Sequence, residues 1–186
     1  MTGVQTCALP ISVKSRVGYL PDSPVYYDYL RGREILAFVA EMHGFAAYEA
    51  DARAKELLWE LDLADAAEEY AINYSMGMKK KLGLACALIH DPPVLILDEP
   101  TNGLDPRAAR EVRERLQAAA ARGKTIFVST HLLDMAERLC TRVGIIHTGR
   151  LVEVGAVETL RQKLAPGGSL EEIFIKVTDP EAQGPP

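Results

Sequence analysis

Between Tyr74 and Asp105 the chain reads YSMGMKKKLGLACALIHDPPVLILDEPTNGLD, and no other stretch restricts its fold so tightly. Met76 to Ile89 is a long apolar-rich run that reads as a helix, and Ser75 stands where a capping hydroxyl belongs. Asp91-Pro92-Pro93 ends that helix, because proline cannot continue it and restrains the residue before it. Val94 to Leu97 is continuously aliphatic, the pattern of a strand covered on both faces. Asp98 and Glu99 then close the strand at its carboxyl end, where open α/β sheets place their ligands.

Two adjacent carboxylates at the end of a hydrophobic strand suit metal-nucleotide hydrolysis. The first can hold Mg²⁺ directly or through water, and the second can polarise an attacking water. Taken alone, the pair reads equally well as a solvated loop. The surrounding pattern is α/β throughout. Residues 24–70 read as helical, with one stripe at Ile35, Leu36, Val39 and Met42 and another at Ala54, Leu57, Leu58 and Leu61. His43-Gly44 ends the first of these helices. Met42, Trp59 and the Tyr26-Tyr27-Tyr29 group read as core or partner surface. Asp105 caps a helix that begins at Pro106 and buries Ala108, Val112, Leu116 and Ala119. Thr125 to Val128 reads as a second buried strand, closed by Ser129-Thr130-His131 beside the acidic pair. A hairpin (143–147 and 151–154) follows, then a short helix at Val157 to Leu164, a Pro-Gly-Gly break and a capping box at Ser169-Leu-Glu-Glu172. Lys79, Lys80 and Lys81 read as a solvated helix face.

Taken together, these motifs resemble the nucleotide-binding domain of ABC (ATP-binding cassette) transporters. LILDEPTNGLDP is similar to their Walker B strand, catalytic Glu and D-loop in unbroken order. YSMGM stands where their LSGGQ-type signature stands, with the match resting on Ser75 and Gly77, since Met76 and Met78 depart from it. Thr130-His131 stands at their switch histidine, and Arg16 to Asp22 resembles their strand and Q-loop, with Asp22 in place of the usual Gln. SLEEIFIKVTD resembles the end of drug- and polysaccharide-exporter ATPases.

The resemblance implies an α/β fold: part of a P-loop NTPase (RecA-like) parallel sheet with an inserted α-helical subdomain. Residues 13–23 and 91–165 would belong to the ATPase core, 24–90 to the helical subdomain and 166–186 to a C-terminal helix and tail. The implied cofactors are ATP and Mg²⁺. Asp98 and Asp22 would contact the metal, Glu99 would handle water and His131 would sense the γ-phosphate. Ser75, Gly77 and Met78 would close over ATP held by a second ATP-binding subunit, and Asn102, Gly103 and Asp105 would couple the two sites. The implied partners are that second subunit and an integral membrane permease, with the Tyr cluster as candidate contact. The chain would be cytoplasmic, held at the inner face of the membrane by the permease. Two rival readings are a non-transport ABC ATPase acting on ribosomes or chromosomes, and a non-catalytic cassette fragment.

Charge and composition narrow the choice. A net charge of −5 argues against nonspecific nucleic-acid binding, which needs a basic footprint. Cys7, Cys86 and Cys140 are scattered and lack metal or redox spacing, so they read as reduced thiols. No apolar run approaches the ~20 residues of a membrane span. Met1 to Ser12 match nothing in the rest of the pattern and read as a non-native leader, with a natural variable terminus as the alternative. The tail Pro180 to Pro186 reads as disordered.

A phosphate-cradling G-x-x-x-x-G-K-[ST] loop is not present in the sequence as written. Gly123-Lys124-Thr125 is a decoy, with a helix before it and a strand after it where a P-loop has the reverse. The chain is therefore expected to bind Mg-ATP weakly or not at all by itself. Isothermal titration checks this, and micromolar affinity would contradict it.

Overall fold

The computed structural model describes residues 11–178, so Cys7, the leader reading (in all but its last two positions) and the tail reading fall outside it. The chain forms two compact units that divide between Ser129 and Thr130.

The first unit opens with a single helical turn, α1 (Ile11–Lys14), and strand β1 (Val17–Leu20). Helices α2 (Gly32–Met42) and α3 (Ala47–Glu60) follow, then two 3₁₀ turns and α4 (Met76–Leu88). Strand β2 (Val94–Asp98), helix α5 (Pro106–Ala121) and strand β3 (Thr125–Ser129) complete it. The three strands form one parallel sheet in the order β1-β2-β3, with Leu20 opposite Leu97 and Asp98 opposite Ser129. Parallel neighbours need crossover connections, which α2 to α4 and α5 supply. Gly18 lets α4 settle on the sheet, since a Cβ there would lie 2.1 Å from the Ala87 carbonyl oxygen.

Three expectations change. Residues 24–31 are not helical: Pro24 and a turn closed by Leu30 N–H to the Tyr27 carbonyl carry the chain to α2. The α2 stripe buries Ile35, Leu36 and Ala40, while Met42, the last residue of the helix, is 71% exposed. Among the described residues, nothing covers the second face of the strands. Leu20, Leu95 and Leu97 are fully buried, but Tyr19, Ile96 and Phe127, aligned by register, stay 58%, 38% and 63% exposed. A continuous aliphatic run reports what a face can bury and not whether an element lies over it.

In the second unit, β4 (Arg142–His147) and β5 (Arg150–Ala156) pair as an antiparallel hairpin with a register shift between Ile145 and Ile146. Helices α6 (Leu133–Leu139), α7 (Val157–Leu164) and α8 (Leu170–Thr178) pack with it around Ile145, Leu160, Leu170 and Ile173. The Ser169 hydroxyl accepts from the Glu172 N–H at the start of α8, as the capping box requires.

At the carboxyl ends of α2 and α4, His43 and His90 stack with ring centroids 3.7 Å apart and planes 5° from parallel. Neither His90 nitrogen reaches a hydrogen-bond partner among the described residues. Burial holds both imidazoles below the ordinary value of 6.5. His90 is pushed down further by the His43 and Lys124 charges, against the opposite pull of the Asp91 charge. The Arg53 guanidinium, bonded to the Ile89 carbonyl, lies on the neighbouring residue. The unfolded chain therefore takes up protons as the pH falls through about 6.5, where the folded chain resists them. Stability present above pH 6.5 should be lost as the pH drops below it. Denaturant midpoints between pH 7.5 and 5 should fall for the native chain and fall less for His90→Phe.

Candidate functional site at the carboxyl edge of the sheet

Asp98 is the last residue of β2, and the parallel register sets it beside Ser129, whose hydroxyl donates to Asp98 Oδ1. Glu99 then leaves the strand with φ 46°, a left-handed conformation that costs energy for a residue with a side chain. Its N–H donates to the Ser129 carbonyl at 2.9 Å, and its carbonyl accepts from the Asn102 N–H at 3.1 Å. These two bonds hold the turn that follows the strand, and the Asp98 and Glu99 side chains are both half-buried. Gly103, at φ 76°, completes the turn where a side chain would be strained. Asp105 caps α5 by accepting from the Arg107 and Ala108 N–H groups at 3.0 and 3.1 Å. The Ala108 amide first, then that of Arg107, hold its carboxyl below the usual range.

The amino end of α4 reaches the same loop. Ser75 is extended and exposed, and its hydroxyl accepts from the Met78 N–H at 3.2 Å. The remaining first-turn N–H groups have no carbonyl partner within their helix, which gives this tip its affinity for anions. A Cβ on Gly77 would lie 3.4 Å from Leu104 Cδ2, and one on Gly103 would lie 2.7 Å from Met76 Sδ. Met76, 73% exposed, thus rests on the glycine of the loop after β2, a contact its sequence position did not announce.

Asp22 follows β1 to this edge. Its Oδ1 lies 3.2 Å from Lys80 Nζ, which also donates to the Asp22 carbonyl. Lys80 is the main reason the Asp22 carboxyl sits below its ordinary value, with smaller help from the Asn102 and Ser23 side chains. Lys80 is 4% exposed, which corrects the solvated-face reading of Lys79 to Lys81. Its stem lies on the buried stripe of α4 with Gly83 and Leu84, and that i, i+3, i+4 spacing was the available signal. Lys81 is also largely covered, with Asp62 and Glu111 at 3.7 and 3.9 Å.

Asp22, Ser75, Gly77, Met78, Asp98, Glu99, Asn102, Gly103 and Asp105 all belong to the first unit, linked by the contacts just described. His131 lies two residues past β3, at the start of the second unit, with the Thr130 hydroxyl accepting from the Leu132 N–H at 3.1 Å. No group of three or more His, Cys, Asp or Glu among the described residues is arranged to hold a metal alone. A single strand-end carboxylate such as Asp98 fits Mg²⁺, which takes one or two carboxylates and completes its shell with waters and substrate phosphates. Gly123-Lys124-Thr125 is no phosphate loop: Gly123 at φ 89° ends α5, and Lys124 donates to the Pro92 carbonyl.

Residues 17–133 match the family described as "AAA domain, putative AbiEii toxin, Type IV TA system". The chain is 36% identical over 165 residues to daunorubicin resistance ATP-binding protein DrrA3 of Streptomyces coeruleorubidus, covering 89% of this chain and 52% of that one. It is also 36% identical over 208 residues to Nod factor export ATP-binding protein I of Burkholderia thailandensis, covering 96% and 68%. A solved ATP-binding subunit of an ABC transporter superimposes with a TM-score of 0.82 at 35% identity, covering 91% of this chain and 71% of the other. The chain spans about half the length of most of the curated relatives it matches. On these grounds the chain belongs to the ATP-binding subunits of ABC transporters, with the α/β architecture of P-loop NTPases.

Proposed function

We propose that this chain is the catalytic and signature portion of an ATP-hydrolysing subunit that drives a membrane permease. The observation that carries the reading is the acidic pair Asp98-Glu99 at the carboxyl edge of a parallel sheet, with Glu99 held in a left-handed turn and the exposed Ser75–Gly77 helix tip against the loop behind it. Asp98 supplies a hard oxygen for Mg²⁺, which when bound neutralises charge on the phosphates. Glu99 orients an attacking water and accepts its proton at the carboxylate. His131 reads the terminal phosphate. Ser75 and the first-turn amides of α4, with Gly77 permitting close approach and Met78 behind them, face the nucleotide held by a second subunit. Asn102, Gly103 and Asp105 carry the loop that joins the two half-sites. In this reading residues 13–23 and 91–165 form the ATPase core, 24–90 a helical subdomain and 166–186 a C-terminal helix and tail.

No helix among the described residues is long and apolar enough to cross a membrane. A shallow, open apolar groove lined by Tyr27, Asp28, Tyr29, Leu30 and Phe38 suits a short apolar segment of a permease. Tyr27 and Tyr29, 70% and 79% exposed, supply the apolar area. Such a subunit works at the cytoplasmic face of the membrane.

Two measurements test the reading. Sedimentation of this chain with a P-loop-bearing ATP-binding subunit should show Mg-ATP-dependent association, abolished by Ser75→Glu, which sets a carboxylate against phosphate. In a protein that joins a P-loop segment to residues 13–178, Glu99→Gln should lower ATP turnover by about 10²–10⁴-fold with nucleotide binding retained. Unchanged turnover would overturn the role of Glu99.

A further inference from the structure

Lys80 is the most buried charged side chain of the first unit, and the activity proposed above gives it no task. An ammonium taken out of water is costly unless it is paired and hydrogen-bonded. Both of its observed partners lie on one residue, the carbonyl and carboxylate of Asp22 in the loop after β1, 58 positions earlier in the chain. Two further contacts run in parallel. The Tyr26 hydroxyl donates to the Lys79 carbonyl at 2.8 Å. Gly83 lets the loop lie flush on the helix, since a Cβ there would come within 2.6 Å of Leu20 Cδ1 and 2.8 Å of the Tyr26 hydroxyl. The segment from Leu20 to Tyr26 is therefore laid along Lys79 to Gly83, little more than a turn from the Ser75–Gly77 tip.

We propose that Lys80 is a positioning residue that locks the loop after β1 to α4, so that this loop and the Ser75–Gly77 helix tip shift as one piece. The chemistry of the lock suits a joint that can be exchanged. Asp22 is 47% exposed while Lys80 is sealed, so water or a cation can reach the carboxylate and loosen the pair from one side only. Apolar packing at the same place would hold the two segments together but would not respond to an ion at Asp22. The loop continues directly into the Tyr27–Leu30 side of the shallow aromatic groove, so a partner seated there pushes on the segment that Lys80 fastens to α4. The importance assigned to the helix tip rests on the function proposed above; the mechanical coupling itself does not.

Hydrogen–deuterium exchange of the whole chain without nucleotide tests the coupling, and its outcome is independent of whether the chain serves an ATPase. Lys80→Met should raise exchange on the order of tenfold in residues 22–27 and at the amides of Met78 to Leu82, leaving β2 and α5 unchanged. Lys80→Arg should restore protection. Asp22→Asn, at a half-exposed position that tolerates the change, should raise exchange in α4 about threefold even if Lys80→Met does not fold. A uniform rise across all elements in Lys80→Met would make Lys80 an ordinary structural residue, and protection of α4 unmoved by Asp22→Asn would overturn the proposal.

Discussion

Parallel pairing of β1, β2 and β3 is the constraint on which the rest depends. Strands that run the same way cannot be joined by hairpins, so each is followed by a loop at one edge and re-entered through a helix from the other. Residues far apart in the chain, Asp22, Asp98 and Ser129, are thereby delivered to a single edge. The register then does finer work, setting Asp98 beside Ser129 and tying the Glu99 turn to the Ser129 carbonyl. The strained φ of Glu99 persists because these bonds over-determine it.

Helix α4 answers two demands at once. One side of it must lie close on the sheet and the loop after β1, and Gly18 and Gly83 provide the close approach. Its amino end must stay open, and Ser75, extended and exposed, stops the helix there while satisfying only the Met78 amide. The buried Lys80 is the costliest component of this arrangement, tolerable because Asp22 offers two oxygens to it. The carboxylate that the family resemblance gives to a metal is therefore already engaged by a cation from the protein itself.

Legibility of the site followed the range of the interactions. The cap at Ser75, the cap at Asp105 with Pro106 behind it, the stop at Asp91-Pro92-Pro93 and the stripe Ala108, Val112, Leu116 and Ala119 were all readable, because each depends on neighbours within a turn of helix. The open face carrying Tyr19, Ile96 and Phe127 was not readable, since burial of a strand face is decided by what lies over it. Three consecutive lysines looked like a solvated face although Lys80 precedes Gly83 and Leu84 by three and four residues; the oxygens that make its burial tolerable lie 58 positions away.

The sequence by itself determined the order of helices and strands from α4 onward except for α6, which it did not announce, the acidic pair at the end of β2, the caps that start α4 and α5, and the family to which the chain belongs. These rest on local propensity, proline and glycine chemistry, and unbroken motifs. Only the tertiary structure decided that Lys80 holds Asp22, that Met76 rests on Gly103, that Glu99 is strained and that one face of the sheet stays open. Each of those depends on which distant segments the parallel register brings together, and composition or spacing along the chain carries no record of such distances.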